Sequence, residues 1–187
     1  MFQLVSAYVC LAVFFSLEFL TRKGRNAKKL GFSDSDHRST IYIGLCFFIV
    51  LFLSAILNTL RVGRFYNPRV ANIALIIMSI GLAIRVWAML VLRKYYTRTL
   101  ITTDHQKIIR SGPYRLIRHP GYLGTCLVWS SAGLAMQNAD VFICATVLIL
   151  LAYFYRIKNE EHMLVRQFGK DYQDYINHSW RLIPFLW

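Results

Sequence analysis

An all-α integral membrane protein of about five transmembrane helices is what this sequence predicts, and three observations carry that reading. Hydrophobic residues fill 56% of the 187 positions and charged ones only 17%, against about 45–50% and about 25% in ordinary soluble domains. The apolar residues are gathered in blocks, and crossing a bilayer takes about 20 residues. The 22 Lys and Arg, which with 9 Asp and Glu leave a net charge of +13, lie between those blocks. That placement fits a membrane protein better than a basic nucleic-acid-binding face. A disordered chain, a collagen and a disulfide-stapled mini-protein are excluded, and no nucleic acid is expected as a partner.

The first block, Phe2 to Leu20, has Glu18 as its one charge. Arg22, Lys23 and Arg25 follow it rather than precede it, and no small-residue cleavage site comes after. A permanent span with its N-terminus outside is therefore expected instead of a cleaved signal peptide. The second block runs from Ile41 to Leu60. The third, Val70 to Leu92, contains Arg85. An arginine inside a span is a functional candidate by default. It also sits about two turns from the span's cytoplasmic end, so snorkelling to the surface is the competing expectation. The last block, Tyr122 to Tyr155, is broken only by Met136-Gln137-Asn138-Ala139-Asp140. Asp140 at mid-membrane would be costly, which favours two short antiparallel helices, each slightly under span length, over one long helix.

Charge orients the spans. Six Lys and Arg lie in the 22–38 loop, seven in the 93–118 linker and five from Arg156 onward; three lie in the 61–69 loop and none in the hairpin turn. Five spans with the N-terminus outside put the three rich segments in the cytoplasm, as the positive-inside rule requires. Cys10, Cys46, Cys126 and Cys144 all fall inside apolar blocks and form no C-x-x-C, so neither a metal site nor a redox pair is indicated. The chain divides into an N-terminal three-span region, 1–92, and a region 93–187 made of linker, helical hairpin and tail. Linker and tail flank the hairpin on one face, so a site at the membrane surface would be assembled from both.

The linker reads Ser111-Gly112-Pro113-Tyr114-Arg115-Leu116-Ile117-Arg118-His119-Pro120-Gly121-Tyr122. Gly-Pro and His-Pro-Gly are turn signals, and Pro120 suits the first turn of the next helix. A plain loop whose arginines touch lipid phosphates is the simple reading; the density of Tyr, Arg and His also allows a binding site. After the fifth helix comes Arg156-Ile157-Lys158-Asn159-Glu160-Glu161-His162. Arg156 and Glu160 share a face at i and i+4. As a surface ion pair they would be worth about 0–1 kcal/mol. If that face turns toward the linker, Arg156 can grip an anion and Glu160 can accept hydrogen bonds from a ligand. Phe168-Gly169-Lys170-Asp171-Tyr172-Gln173-Asp174-Tyr175 predicts a helix end and an amphipathic return. Trp180, Phe185 and Trp187 suit the membrane interface.

Gly112-Pro113-Tyr114, Arg118-His119-Pro120-Gly121-Tyr122-Leu123-Gly124, Glu160-Glu161 and Phe168-Gly169-x-x-Tyr172-x-x-Tyr175, in this order around a helical hairpin, resemble the isoprenylcysteine carboxyl methyltransferases. Phospholipid N-methyltransferases share the Arg-His-Pro-x-Tyr element, and membrane sterol reductases have a related C-terminal architecture. The resemblance covers 93–187. It implies a multi-pass membrane enzyme that transfers a methyl group from S-adenosyl-L-methionine to the carboxylate of a lipophilic or prenylated substrate, with no obligate protein partner. It further implies cofactor contacts at Gln106, Lys107, Ile108, Ile109, Tyr114, His119, Pro120, Gly121, Tyr122 and Glu160, and a substrate contact at Arg156. No Gly-x-Gly-x-x-Gly follows a predicted strand. The chain is shorter than eukaryotic members, which carry additional spans, and this implies a prokaryotic cell membrane, or the endoplasmic reticulum in a eukaryote. Three rivals stand beside this one. A lipid amine methyltransferase would need a base, with His119 or Glu161 as candidates. An NADPH-dependent lipid reductase would need an arginine clamp for the 2′-phosphate, and a membrane scaffold would need neither.

Overall fold

The computed structural model describes residues 2–22, 34–92 and 108–185, with side chains from 2–20, 39–92 and 108–185. Six helices follow in order: α1 (Phe2–Arg22), α2 (Asp34–Leu60), α3 (Pro68–Leu92), α4 (Pro120–Ala135), α5 (Ala139–Phe168) and α6 (Lys170–Asn177), with a 3-10 turn at Gly112–Arg115 before α4. Among the described residues strand pairing is confined to two isolated bridges, Arg64 with Asn138 and Ile117 with Trp180. The all-α class and the hairpin after the linker are as expected.

Four helices, α1, α2, α3 and α5, are long and apolar enough to cross a membrane. Their outward faces carry exposed Phe48, Phe52, Ile73, Ile76, Leu151 and Phe154, a surface that suits acyl chains. The hairpin differs from expectation in its second arm. With 30 residues, α5 is not short: it runs past the apolar block and carries Arg156, Glu160 and Glu161 on a rigid extension. Its partner α4 has 16 residues, eleven of them buried. At about 1.5 Å per residue it rises about 24 Å. It is the central helix, shielded by its neighbours.

Small residues let the helices approach where no hydrophobic effect drives them together. A Cβ on Gly124 would stand 2.6 Å from the Gly81 carbonyl oxygen and 2.9 Å from the Arg85 nitrogen, so α3 and α4 touch backbone to backbone. One on Gly133 would meet the Phe142 nitrogen at 2.2 Å, which closes the hairpin. Around Trp129, fully buried on α4, Phe47 stacks at 4.3 Å and Phe14 packs edge-on at 5.9 Å. These rings join α1, α2 and α4 at the centre of the bundle.

At one end of the bundle the α2–α3 connection is knitted to the hairpin turn. The Phe65 amide donates to the Gln137 carbonyl at 3.0 Å, and the Ala139 amide to the Gly63 carbonyl at 2.8 Å. Asn138 caps α5 by accepting from the Val141 amide at 3.0 Å, while its own amide group donates to the Val62 carbonyl at 2.9 Å. Asp140 thus falls in the first turn of α5, where the helix dipole favours a carboxylate. At the opposite end the linker pairs with the tail: the Arg118 amide donates to the Trp180 carbonyl at 2.8 Å and the Trp180 amide to the Leu116 carbonyl at 2.9 Å. Gly169, at φ 54°, ends α5 in the left-handed region that glycine tolerates, and α6 returns from it.

Candidate active site

Linker and tail meet over one continuous cavity of about 160 Å³. Of the residues the sequence nominates, Ile108, Ile109, Tyr114, His119, Gly121, Tyr122, Arg156 and Glu160 line it. Pro120 is fully buried one step behind, setting the first turn of α4. Gln106 and Lys107 lie outside the described residues.

The junction of α4 and α5 holds the polar centre. His119 precedes the first turn of α4 and stacks on Tyr122, with ring centroids 5.4 Å apart and planes 5° from parallel. The Tyr122 hydroxyl donates to Glu160 Oε2 at 2.6 Å. Arg156 Nε approaches that hydroxyl at 3.4 Å, while its Nη1 donates to Ser39 Oγ at 2.6 Å and Thr40 Oγ1 at 3.0 Å. Arg156 is 2% exposed, so the inward orientation of the Arg156–Glu160 face holds and the surface-pair reading does not. Tyr122 stands between the two as a shared hydroxyl. Ser39 and Thr40, from the first turns of α2, are partners that nothing in their sequence surroundings announces.

Glu161 points the other way and is structural. Its Oε1 accepts from Arg118 Nε at 2.9 Å and lies 3.3 Å from His119 Nε2; its Oε2 accepts from Arg181 Nε at 2.9 Å. Arg118 Nη1 also donates to the Ile176 carbonyl at 3.1 Å and closely to the Ser179 carbonyl. These bonds lock α5, α6 and the linker together. Glu160 keeps part of its side chain, 23%, open. Further out, burial pushes the Tyr175 phenol up to about 12, against the lowering effect of Arg118 and Arg110. It therefore stays protonated and donates to the Tyr114 carbonyl at 2.5 Å, which fixes the 3-10 turn over the cavity.

The cavity has two characters. Near α6 its wall carries Tyr172, Tyr175, Leu164 and Phe168; toward the bundle centre it carries Phe14, Ile43, Phe47 and Tyr153. Arg156 sits where they meet. Glu18 and Arg85 also reach the inner wall. Snorkelling is not what Arg85 does: it is 5% exposed and paired with Glu18, from Nε at 2.9 Å and Nη2 at 2.5 Å. The signal was present in the sequence, since these are the lone charges of two apolar blocks.

Comparison with known proteins agrees with this architecture. The Isoprenylcysteine carboxyl methyltransferase (ICMT) family profile matches residues 72–166, about half of the chain. A probable protein-S-isoprenylcysteine O-methyltransferase of Oryza sativa subsp. indica is 32% identical over 120 residues, 63% of this chain and 62% of the relative. Protein-S-isoprenylcysteine O-methyltransferase A of Arabidopsis thaliana is 31% identical over 63% of this chain and 60% of its own length. The matches thus span about three fifths of these relatives. A solved structure described as the eukaryotic intramembrane Ras methyltransferase ICMT superposes with a TM-score of 0.67 at 22% identity, over 95% of this chain and 64% of that one; it shares the fold. The matched segment begins within α3, earlier than the linker motifs, and closes inside α5 after Glu161. By that match the chain belongs to the isoprenylcysteine carboxyl methyltransferase family.

Proposed function

We propose that this protein transfers a methyl group from S-adenosyl-L-methionine to the carboxylate of a lipophilic, isoprenylcysteine-like acceptor, within five spans and on the cytoplasmic side. The carrying observation is Arg156: a guanidinium only 2% exposed in the cavity wall, with Tyr122 and Glu160 on one side and the Phe14, Ile43, Phe47 and Tyr153 side chains toward the bundle centre. A prenylated carboxylate would set its anion on the first group and its tail along the second.

The residues present fit the cofactor. Glu160 offers a partly open carboxylate to its cationic groups, and Tyr114, Tyr172 and Tyr175 put aromatic side chains in the same wall for its adenine. His119, Gly121, Tyr122, Ile108 and Ile109 complete that wall, and the resemblance adds Gln106, Lys107 and Pro120. When bound, S-adenosyl-L-methionine supplies a methyl group already open to nucleophilic attack. The protein then has to position, not to deprotonate. Carboxylic acids ionise near pH 4, so the acceptor needs no base at neutral pH. Arg156 presents a planar two-pronged donor to a carboxylate, and its partners on α2 and α4 hold that fork in place before the acceptor arrives. Phe14, Ile43, Phe47 and Tyr153 line the region toward which an apolar tail would extend. They keep water from the carboxylate, whose hydration would blunt it as a nucleophile.

The rival chemistries find less support. Glu161, a candidate base for amine methylation, is occupied by Arg118 and Arg181. Two linker arginines that could clamp a 2′-phosphate are engaged as well: Arg110 with Asp174 at 2.8 Å, Arg118 with Glu161. The test is an assay with labelled S-adenosyl-L-methionine and a farnesylated cysteine analogue, as free acid and as amide. Label should enter the acid and not the amide. Methylation of an amine-headed lipid with none of the acid would transfer the assignment to N-methylation. Binding of NADPH in place of S-adenosylhomocysteine would end the methyltransferase reading.

A further inference from the structure

The buried pair Glu18–Arg85 joins α1 to α3, ahead of the linker motifs; Arg85 falls inside the matched family segment and Glu18 outside it. Burying two charges in an apolar bundle is costly, and such a pair is weak as a stabiliser compared with apolar residues of the same volume. Ionisable residues inside spans mark functional positions more often than structural ones. The use to which this pair is put is visible in the third bond of Arg85. Its Nε and Nη2 both donate to Glu18 Oε1, while Nη1 turns the other way and donates to the Gly121 carbonyl at 3.0 Å. Gly121 lies in the first turn of α4, between His119 and Tyr122. A Cβ there would come within 3.1 Å of Arg85 Nη1, and only a residue without one leaves the guanidinium its full room.

We infer that Glu18 and Arg85 are a positioning pair for methyl transfer: Glu18 aims the Arg85 fork, and Arg85 pins the Gly121 carbonyl and with it the turn that presents His119 and Tyr122. This rests on the function proposed above. The chain of contacts is short. Tyr122 is one residue beyond the pinned carbonyl, and its hydroxyl bridges Glu160 and Arg156. A small rotation of that first turn moves the hydroxyl away from both. Arg118 and His119, just before that carbonyl, are in turn held by Glu161, so the turn is tied to α3 through Arg85 and to α5 through Glu161. Misplacement by about 1 Å can cost about a hundredfold in rate, and a turn tied to both helices resists it.

The experiment uses the full chain in lipid nanodiscs. Replacing both charges, Glu18→Gln with Arg85→Met, leaves no uncompensated ion and retains volume, so the variant should fold. Two readouts are taken together: hydrogen exchange of the peptide covering 116–126, and kcat and KM for the farnesylated acid. The inference expects exchange in that peptide to quicken about tenfold while the hairpin turn at 136–140 is unchanged. It expects kcat to fall about tenfold with acceptor KM within about twofold of the parent. Arg85→Lys, which keeps the charge but cannot reach Glu18 and Gly121 at once, should show both changes in smaller measure. If the double variant exchanges and turns over like the parent, the pair is only a structural filler and the inference fails. It fails as well if only one of the two readouts moves. If the parent methylates no acceptor, the proposed function falls; unchanged exchange in the double variant would then also refute the pin, while quickened exchange would leave it as a property of the fold.

Discussion

Arg156 and Glu160 stand one turn apart on α5, touch the same Tyr122 hydroxyl, and are assigned to different ligands. That separation makes a sharp pair of predictions. Arg156→Lys keeps the charge and loses the fork. It should lower methyl transfer to the farnesylated acid at least tenfold, with S-adenosylhomocysteine affinity within about twofold by calorimetry. Arg156→Ala should lower activity further with affinity again preserved. Glu160→Gln should do the reverse: affinity for S-adenosylhomocysteine falls about tenfold, the loss of about 1.4 kcal/mol, in a protein with an unchanged melting temperature. Affinity that stays put in Glu160→Gln would remove Glu160 from the cofactor wall. Activity near the parent's in both Arg156 variants would reduce Arg156 to a structural tie between α5 and α2. The pairing of these two side chains was legible, because i and i+4 place them on one face whatever the fold. The Ser39 and Thr40 hydroxyls on Arg156 were not. They are 117 and 116 positions away in the chain, and two hydroxyls at the start of an apolar block have no periodicity to betray them.

At the level of elements, close helix approach is what the bundle depends on, and glycine decides where it happens. Gly124→Val should force α3 and α4 apart, since its first added carbon would already lie 2.6 Å from a backbone oxygen. Overpacking of this kind costs about 1–3 kcal/mol, so a fall in the detergent melting temperature is expected. Gly44→Ala, on α2 with nothing within 4 Å of the new carbon, is the control. It should be neutral or slightly stabilising, because alanine is the better helix former by about 1 kcal/mol. A Gly124→Val protein that melts with the parent would show that the two helices are free to separate. The hairpin itself was readable from Asn138 and Asp140, polar residues that a single long helix would strand in the bilayer. The length of α5 was less so: the apolar pattern stops at Tyr155, while the helix continues to Phe168 because Glu161 is clasped there by arginines from two other segments. The pairing of Glu18 with Arg85 was hidden for a similar reason. Each charge could be seen alone, but only the crossing of α1 on α3 brings residues 67 positions apart together.

For the molecule as a whole, the proposed orientation puts eighteen of the Lys and Arg on the cytoplasmic side and three opposite. Tyr66, 86% exposed beside the hairpin turn, and His178, with 75% of its side chain exposed at the tail, mark the two ends. In sealed inside-out vesicles a membrane-impermeant maleimide should label His178→Cys and spare Tyr66→Cys; right-side-out spheroplasts should give the reverse. The opposite pattern would invert the protein and place the cavity outside the cell.

The stitching of the α2–α3 connection to the hairpin turn bears on how the bundle can open. Those bonds fasten the helix pairs where the cavity is not. A pair of tweezers joined at the far end parts at its tips, and here the tips are the ends of α2 and α5, held across the cavity by the grip of Arg156 on Ser39 and Thr40. On the function proposed here, a lipid chain entering from the side would do so at those tips and not at the stitched end. The same geometry makes Arg156 the tie across those tips, a single side chain of α5 fastened to two hydroxyls of α2.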